Sequence, residues 1–134
     1  MMIDNLPYRQ VGAEDLRAGG LLCVADHASN YVPEEIDLGI DPKLLNEHIA
    51  VDIGVEGIAD RLARRHNIPA HIATVSRLVC DLHRREDEPG VVPTESDGKL
   101  IAGNIGADLE ARLNRFHRPY HNALGDLIGR LRPK

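Results

Sequence analysis

The sequence predicts an α/β domain with a mixed, largely parallel sheet flanked by helices. Three observations predict it. Short apolar runs end abruptly in polar residues. Longer segments between them carry a helix-like apolar stripe. The order along the chain is strand, helix, strand, long loop, helix. The chain has 134 residues, which points to one domain over 1–134. A domain of that size buries roughly two thirds of the surface its unfolded chain exposes. With three Tyr, one Phe and no Trp, its core has to be aliphatic.

Taken in order, "LLCVA" (21–25) follows Gly19-Gly20 and reads as a short buried strand. "SNYVPEEIDLGIDP" (29–42) is a loop, with Pro33, Gly39 and Pro42 as breakers. Asp41 suits an N-cap and Pro42 a first helical residue, so one long helix is expected from there to His66. Its stripe comprises Leu45, Ile49, Ile53, Val55, Ile58 and Leu62, and Arg64, Arg65 and His66 suit the negative end of its dipole. "PAHIATVSRLVCDLHR" (69–84) reads as one or two strands, with a period of two from Val75 to His83. "REDEPGVVPTESDGKLIAGN" (85–104) is a long polar loop, and loops of that length are more often functional than idle. From Ile105 to Leu131 the pattern is helical, with a kink or a break expected at Pro119.

Composition narrows the function. The formal net charge of −5 argues against a nucleic-acid partner. The N-terminus lacks a basic start followed by an apolar run, and no apolar stretch is long enough to span a bilayer. The expectation is therefore a cytoplasmic protein with no membrane partner. Cys23 and Cys80 sit in apolar runs and belong to no CxxC pair, which suits reduced, buried thiols. HExxH, P-loop, GxSxG and GxGxxG patterns are absent, and Ser29 has no elbow glycines around it, so a serine hydrolase is unsupported.

The stretch "CVADHASNYVPEE" (23–35) ends a buried strand on Asp26 and His27. In open α/β sheets, ligands bind beyond the carboxyl ends of strands, so these side chains meet a ligand there. His27 reads either as a zinc ligand or as a hydrogen-bonded loop histidine. His48 and Asp52 are four apart on the predicted helix, about 6 Å apart at Cβ. They serve one metal or form an ordinary surface pair. Arg77 and Asp81 share a strand face, roughly 13 Å apart at the usual rise. Arg77 either grips a substrate carboxylate or sits in a buried ion pair. Spacing alone leaves an α/β domain with a metal hydrolase as one open reading.

The motifs together go further. "DHASNYVPEEIDLGI", "HIAVDIGVEGIADRLA", "SRLVCDLHR", "ESDGKLIAGN" and "RFHRPYHNAL" occur in this order. Over Leu21 to about Leu127 the chain resembles the N-formylglutamate amidohydrolase family. The resemblance implies a zinc-carboxypeptidase-like (phosphorylase/hydrolase-like) fold. It also implies metal-dependent cleavage of an N-formyl or other N-acyl amino acid, with formate and glutamate as products in the type activity. Carried over by position, His27 and Asp52 are metal ligands, with His48 as a third and zinc as the expected metal. Ser29, Arg77, Asp81, Arg84, Asn104 and His121 fall to substrate binding, with His121 also an outside candidate for the metal. A metal-bound water also needs a general base, and none is obvious apart from Asp26, Glu35 or Glu34. Val51 stands where the family usually has tryptophan, and His83 where it has asparagine. Family members are about twice as long, so the resemblance reads this chain as a truncated N-terminal half. A half-sized core is expected to expose apolar surface and to associate as a two-fold dimer through Leu124, Leu127 and Leu131. The competing reading is a non-catalytic relative without the complete metal site.

Overall fold

Three short strands form the main sheet: β1 (Tyr8–Val11), β2 (Cys23–Ala25) and β3 (Ala70–Ala73), in the order β1-β3-β2. The computed structural model describes residues 6–133. β1 runs antiparallel to β3, with Tyr8 opposite Ala73, and β2 runs parallel to it, with Ala25 opposite Ile72. This sheet thus holds one parallel and one antiparallel pair, and it is mixed rather than largely parallel. All four residues of β3 are buried, as a central strand covered on both faces requires.

Side-chain alternation along β3 decides what covers each face. Ala70 and Ile72 pack with Ala25, Ala59 and Ala63, which seats helix α1 (Val55–His66) against the sheet through small residues. His71 points the other way and stacks on Tyr120 with ring centroids 4.5 Å apart. Ala73 joins Leu78, Leu82, Phe116 and Tyr120 in the larger core. The sheet therefore lies between α1 and the C-terminal helical segment.

The long helix expected from Pro42 to His66 is a correction. Asp41 does cap a helical start, accepting the Lys43 N–H at 3.0 Å, but only a 3-10 turn follows, Pro42–Asn46. Residues 47–54 hold only turns, a bend and irregular backbone, and α1 begins only after Gly54, whose φ of 89° places it in the left-handed region. The apolar stripe continued across a glycine that the helix could not cross.

The strand expected over Val75 to His83 is a second correction. β3 stops at Ala73, and 74–88 contains turns and bends. Leu78, Val79, Cys80, Asp81 and Leu82 are all buried, both parities alike. Local polar bonds hold this path. Ser76 Oγ accepts the Leu78 N–H at 3.2 Å, and Asp81 Oδ1 accepts the His83 N–H at 3.0 Å. Such bonds compete with a strand ladder.

The polar loop carries a small hairpin, β4 (Glu95–Ser96) and β5 (Lys99–Leu100). Asp97 and Gly98 turn it with φ of 49° and 76°, the left-handed pair of a tight hairpin turn. After it, α2 (Leu109–Arg112), a π-helical turn (Leu113–His117) and α3 (Arg118–Leu131) run on without interruption. Pro119 does not end the helix. The wider turn just before it relaxes the pairing that a missing N–H disrupts.

Leu127 is 2% exposed, and Leu124 is partly buried against the core. Exposed apolar side chains include Leu21 and Val24 at and just before β2, Ile53 and Ile58 around the start of α1, and Ile105, Leu109 and Ile128 in the C-terminal region. Among the described residues, no helix is long and apolar enough to cross a membrane.

Candidate functional site

The parallel pairing of β2 with β3 brings their carboxyl ends to the same edge of the sheet. Asp26 and His27 follow β2, and the segment bearing Arg77 and Asp81 follows β3. The backbone adds a third piece: the Asp52 N–H donates to the His27 carbonyl at 2.8 Å, which ties the turn before α1 to the end of β2.

His27 is at the centre. Its Nε2 lies 2.6 Å from Asp81 Oδ1, and its Nδ1 lies 3.4 Å from Asp52 Oδ2. Arg77 braces both acids, at 3.2 Å from Asp81 and 3.8 Å from Asp52. Arg84 Nε stands 3.6 Å from Asp81. Burial works to raise the Asp81 pKa, but the hydrogen bonds from His27 and the His83 N–H, with the Arg77 charge, outweigh it. Asp81 is thus held below the usual carboxylate range and stays ionised. Arg77 and Asp81 are in contact, not 13 Å apart, because no strand separates them.

Asp26 belongs to an adjoining set. It accepts the Tyr120 hydroxyl and stands 3.0 Å from His83 Nδ1. Burial and the Asp26 carboxylate push the Tyr120 pKa far above its ordinary value, so this phenol is a permanent donor. The His83 ring meets the His27 ring edge-on at 6.0 Å. Against Tyr120, His71 Nε2 is 3.1 Å from the Tyr120 carbonyl and its Nδ1 3.3 Å from Gln10 Nε2. Burial lowers the His71 pKa, and the neutral form satisfies both contacts.

The other expected residues lie apart from these contacts. His48 is exposed on a turn and pairs with Asp97 at 3.0 Å, so the helical face it was to share with Asp52 does not exist. Glu35 pairs with Arg115. Ser29 Oγ accepts the Tyr31 N–H at 3.0 Å and lines an open cavity of about 470 Å³ together with Asp52, Asn30 and Asn46. Asn104 is buried, and its carboxamide donates to Leu78 and Pro93 carbonyls and accepts from Arg112. His121 bonds the Leu82 carbonyl at 2.7 Å. Cys80 is buried and its thiol pushed up to about 12, which makes it inert.

Sequence reasoning did not single out His117. It is buried, and its Nε2 lies 2.7 Å from the Arg84 carbonyl. The four-residue spacing of His117 and His121 in "RFHRPYH" was the available signal.

Both ring nitrogens of His27 face carboxylates. A neutral imidazole with its proton on Nε2, toward Asp81, leaves a lone pair on Nδ1 directed at Asp52. Two electron-rich atoms 3.4 Å apart call for a cation between them, a proton or a metal ion. Two ligands on a tetrahedral zinc, each about 2.0–2.1 Å from it, stand about 3.3 Å apart. A metal-ligating histidine also commonly gives its other N–H to a carboxylate, as His27 does to Asp81. The donor pair therefore fits zinc. Among the described residues, no group of three or more His, Cys, Asp or Glu forms a complete metal site.

Fold and cluster together define the class: a mixed α/β protein that gathers histidine, aspartate and arginine at the carboxyl end of a parallel strand pair. The sequence profile of the N-formylglutamate amidohydrolase family matches residues 19–134. The chain belongs to that family. Its fold is similar to that of the product of gene Atu2144 from Agrobacterium tumefaciens, with 27% identity and a TM-score of 0.85 over 93% of this chain and 50% of that one. It is also similar to N-formylglutamate amidohydrolase from Ralstonia eutropha JMP134, with 19% identity and a TM-score of 0.62 over 93% of this chain and 51% of that one. The chain thus spans about half the length of these solved structures. No curated protein sequence matches it.

Proposed function

We propose that this chain carries part of the site of a metal-dependent amide hydrolase acting on an N-formyl or other N-acyl amino acid, with N-formylglutamate as the type substrate. The observation that carries the reading is the His27 imidazole, held by Asp81 at 2.6 Å with its other nitrogen facing Asp52 at 3.4 Å. Family membership supports the amide hydrolase class, and the wider likeness to zinc carboxypeptidases belongs to the same reading.

His27 Nδ1 and Asp52 would hold zinc, which when bound polarises a carbonyl and lowers the pKa of a coordinated water. Asp81 fixes the His27 tautomer by accepting from Nε2. Arg77 and Arg84 border the cluster and offer cationic donors for a substrate carboxylate. Ser29 and Asn30 line the adjoining cavity and offer polar contacts to the rest of the substrate. Of the acids open to serve as base, Asp26 adjoins the cluster through His83, whereas Glu35 is taken by Arg115.

The test is formate release from N-formyl amino acids by zinc-loaded protein, with His27→Gln alongside. Release that disappears with chelator and with His27→Gln supports the reading. Release unaffected by either contradicts it. A second reading, a non-catalytic relative, is favoured by one observation: no third metal donor joins His27 and Asp52 among the described residues. Zinc binding without formate release from any N-formyl amino acid is its signature.

A further inference from the structure

We propose that His117 and His121 are positioning residues. They grip the backbone of the Asp81–Arg84 turn and so hold Asp81 in place against His27. The inference rests on the reading of the His27–Asp81 pair given above.

The two histidines are four residues apart at the junction of the π-helical turn and α3, with rings stacked at 4.4 Å. Each reaches a backbone carbonyl of the same turn: His117 Nε2 to Arg84 and His121 Nε2 to Leu82, both at 2.7 Å. A carbonyl only accepts, so each Nε2 carries the proton. The turn is closed from within as well. Arg84 N–H donates to the Asp81 carbonyl at 3.1 Å, and His83 N–H donates to Asp81 Oδ1 at 3.0 Å. Pulling on the carbonyls of residues 82 and 84 therefore moves the carboxylate that His27 meets.

The chemistry of His117 argues against a packing role. The residue is 6% exposed, and among the described residues its Nδ1 has no hydrogen-bond partner. Glu86 Oε2 is 4.0 Å from that nitrogen, beyond hydrogen-bond distance, and Glu86 is itself paired with Arg118 at 2.8 Å. A buried, unpaired lone pair is unfavourable, and an apolar residue of similar size would avoid it. What the histidine alone supplies is the Nε2–H bond to Arg84. Tyr120, between the two histidines, sends its hydroxyl to Asp26 after β2. One face of the helix thus anchors both strand-end segments that meet at the cluster.

The test uses the full chain with ¹⁵N-labelled histidine. The His27 Nε2–H proton is assigned by its loss in His27→Gln, and zinc affinity is measured in parallel. His117→Leu and His121→Leu remove the grip, while His117→Gln and His121→Gln keep a donor near the Nε2 position. If a leucine variant does not fold, asparagine replaces it, since its amide is too short to reach the carbonyl. The expected result is a shifted or exchange-broadened His27 proton and roughly tenfold weaker zinc binding on leucine or asparagine substitution, with recovery of both in glutamine. Leucine or asparagine variants that lose only thermal stability, with the His27 signal unchanged, overturn the proposal. So do glutamine variants no better than leucine. Wild-type protein that shows the His27 proton but binds no zinc contradicts the metal reading alone, and the proton signal still decides the positioning role.

Discussion

His27 Nε2 and Asp81 Oδ1 lie 2.6 Å apart, with the two side chains 10% and 4% exposed. A contact this close in a buried setting fixes the imidazole's tautomer and its direction together. It leaves Nδ1 as the outward nitrogen, facing Asp52 across 3.4 Å.

Removing Asp81 should therefore do two separable things. Asp81→Ala leaves His27 and Arg77 without their buried partner and should destabilise the fold by about 3–5 kcal/mol. Asp81→Asn keeps the shape, and its carboxamide oxygen can still accept from His27. It should cost less stability while weakening zinc binding about tenfold or more. Urea denaturation and competitive zinc titration measure the two effects independently.

His71 gives an acid sensitivity of defined sign. Burial, the largest influence, lowers its folded-state pKa from 6.5. The unfolded chain then binds a proton that the folded chain refuses. Stability from this residue is complete above about pH 6.5 and declines as pH falls below it, toward the depressed folded value. His71→Gln keeps an amide donor for the Tyr120 carbonyl but does not titrate. Denaturation midpoints at about pH 7.5 and about pH 5 should fall further for the wild type than for the variant.

Tyr120→Phe removes the hydroxyl that Asp26 accepts and leaves its ring packing in place. A hydrogen bond to a charged group contributes about 1.5–3 kcal/mol, and chemical denaturation should show a loss of that order. A change within a few tenths of a kcal/mol would mean that the Asp26 carboxylate finds water as readily as the phenol.

Two glycines should respond in opposite directions. A Cβ on Gly103 would sit 1.9 Å from the Asp37 carbonyl oxygen, a backbone atom with no room to yield. Gly103→Ala should destabilise by about 1–3 kcal/mol or more. A Cβ on Gly57 in α1 meets nothing within 4 Å among the described residues, so Gly57→Ala should stabilise by about 0.5–1 kcal/mol. Thermal melts of both variants read the sign directly.

The parts of this fold legible in the sequence were those with local causes. "LLCVA" before two polar residues marked β2. The helical segment Leu109–Leu131 was legible from its stripe, with a start expected four residues early at Ile105, although a π-helical turn beside Pro119 was not, because nothing in residue spacing distinguishes it from a kink. The segment from Val75 to His83 misled because alternation implies a strand only when one face is exposed. Here Ser76 and Asp81 bond nearby backbone, and residues of both parities are buried. The site was legible in the same uneven way. Asp26 and His27 were marked by their place at a strand end. The approach of Asp52 depends on a long-range backbone bond, from its N–H to the His27 carbonyl, which no spacing rule reveals. His48 was drawn in by a helical register that stops at Asn46 and resumes only at Val55.

The most direct test of the account is zinc affinity, measured by competition with a chromogenic chelator on metal-stripped protein. The wild-type chain should bind one zinc ion, with affinity reduced at least tenfold in His27→Gln and in Asp52→Asn and unchanged in His48→Gln. A wild-type chain that takes up no zinc would contradict the proposal that His27 and Asp52 form a metal site. So would equal affinity in all four proteins.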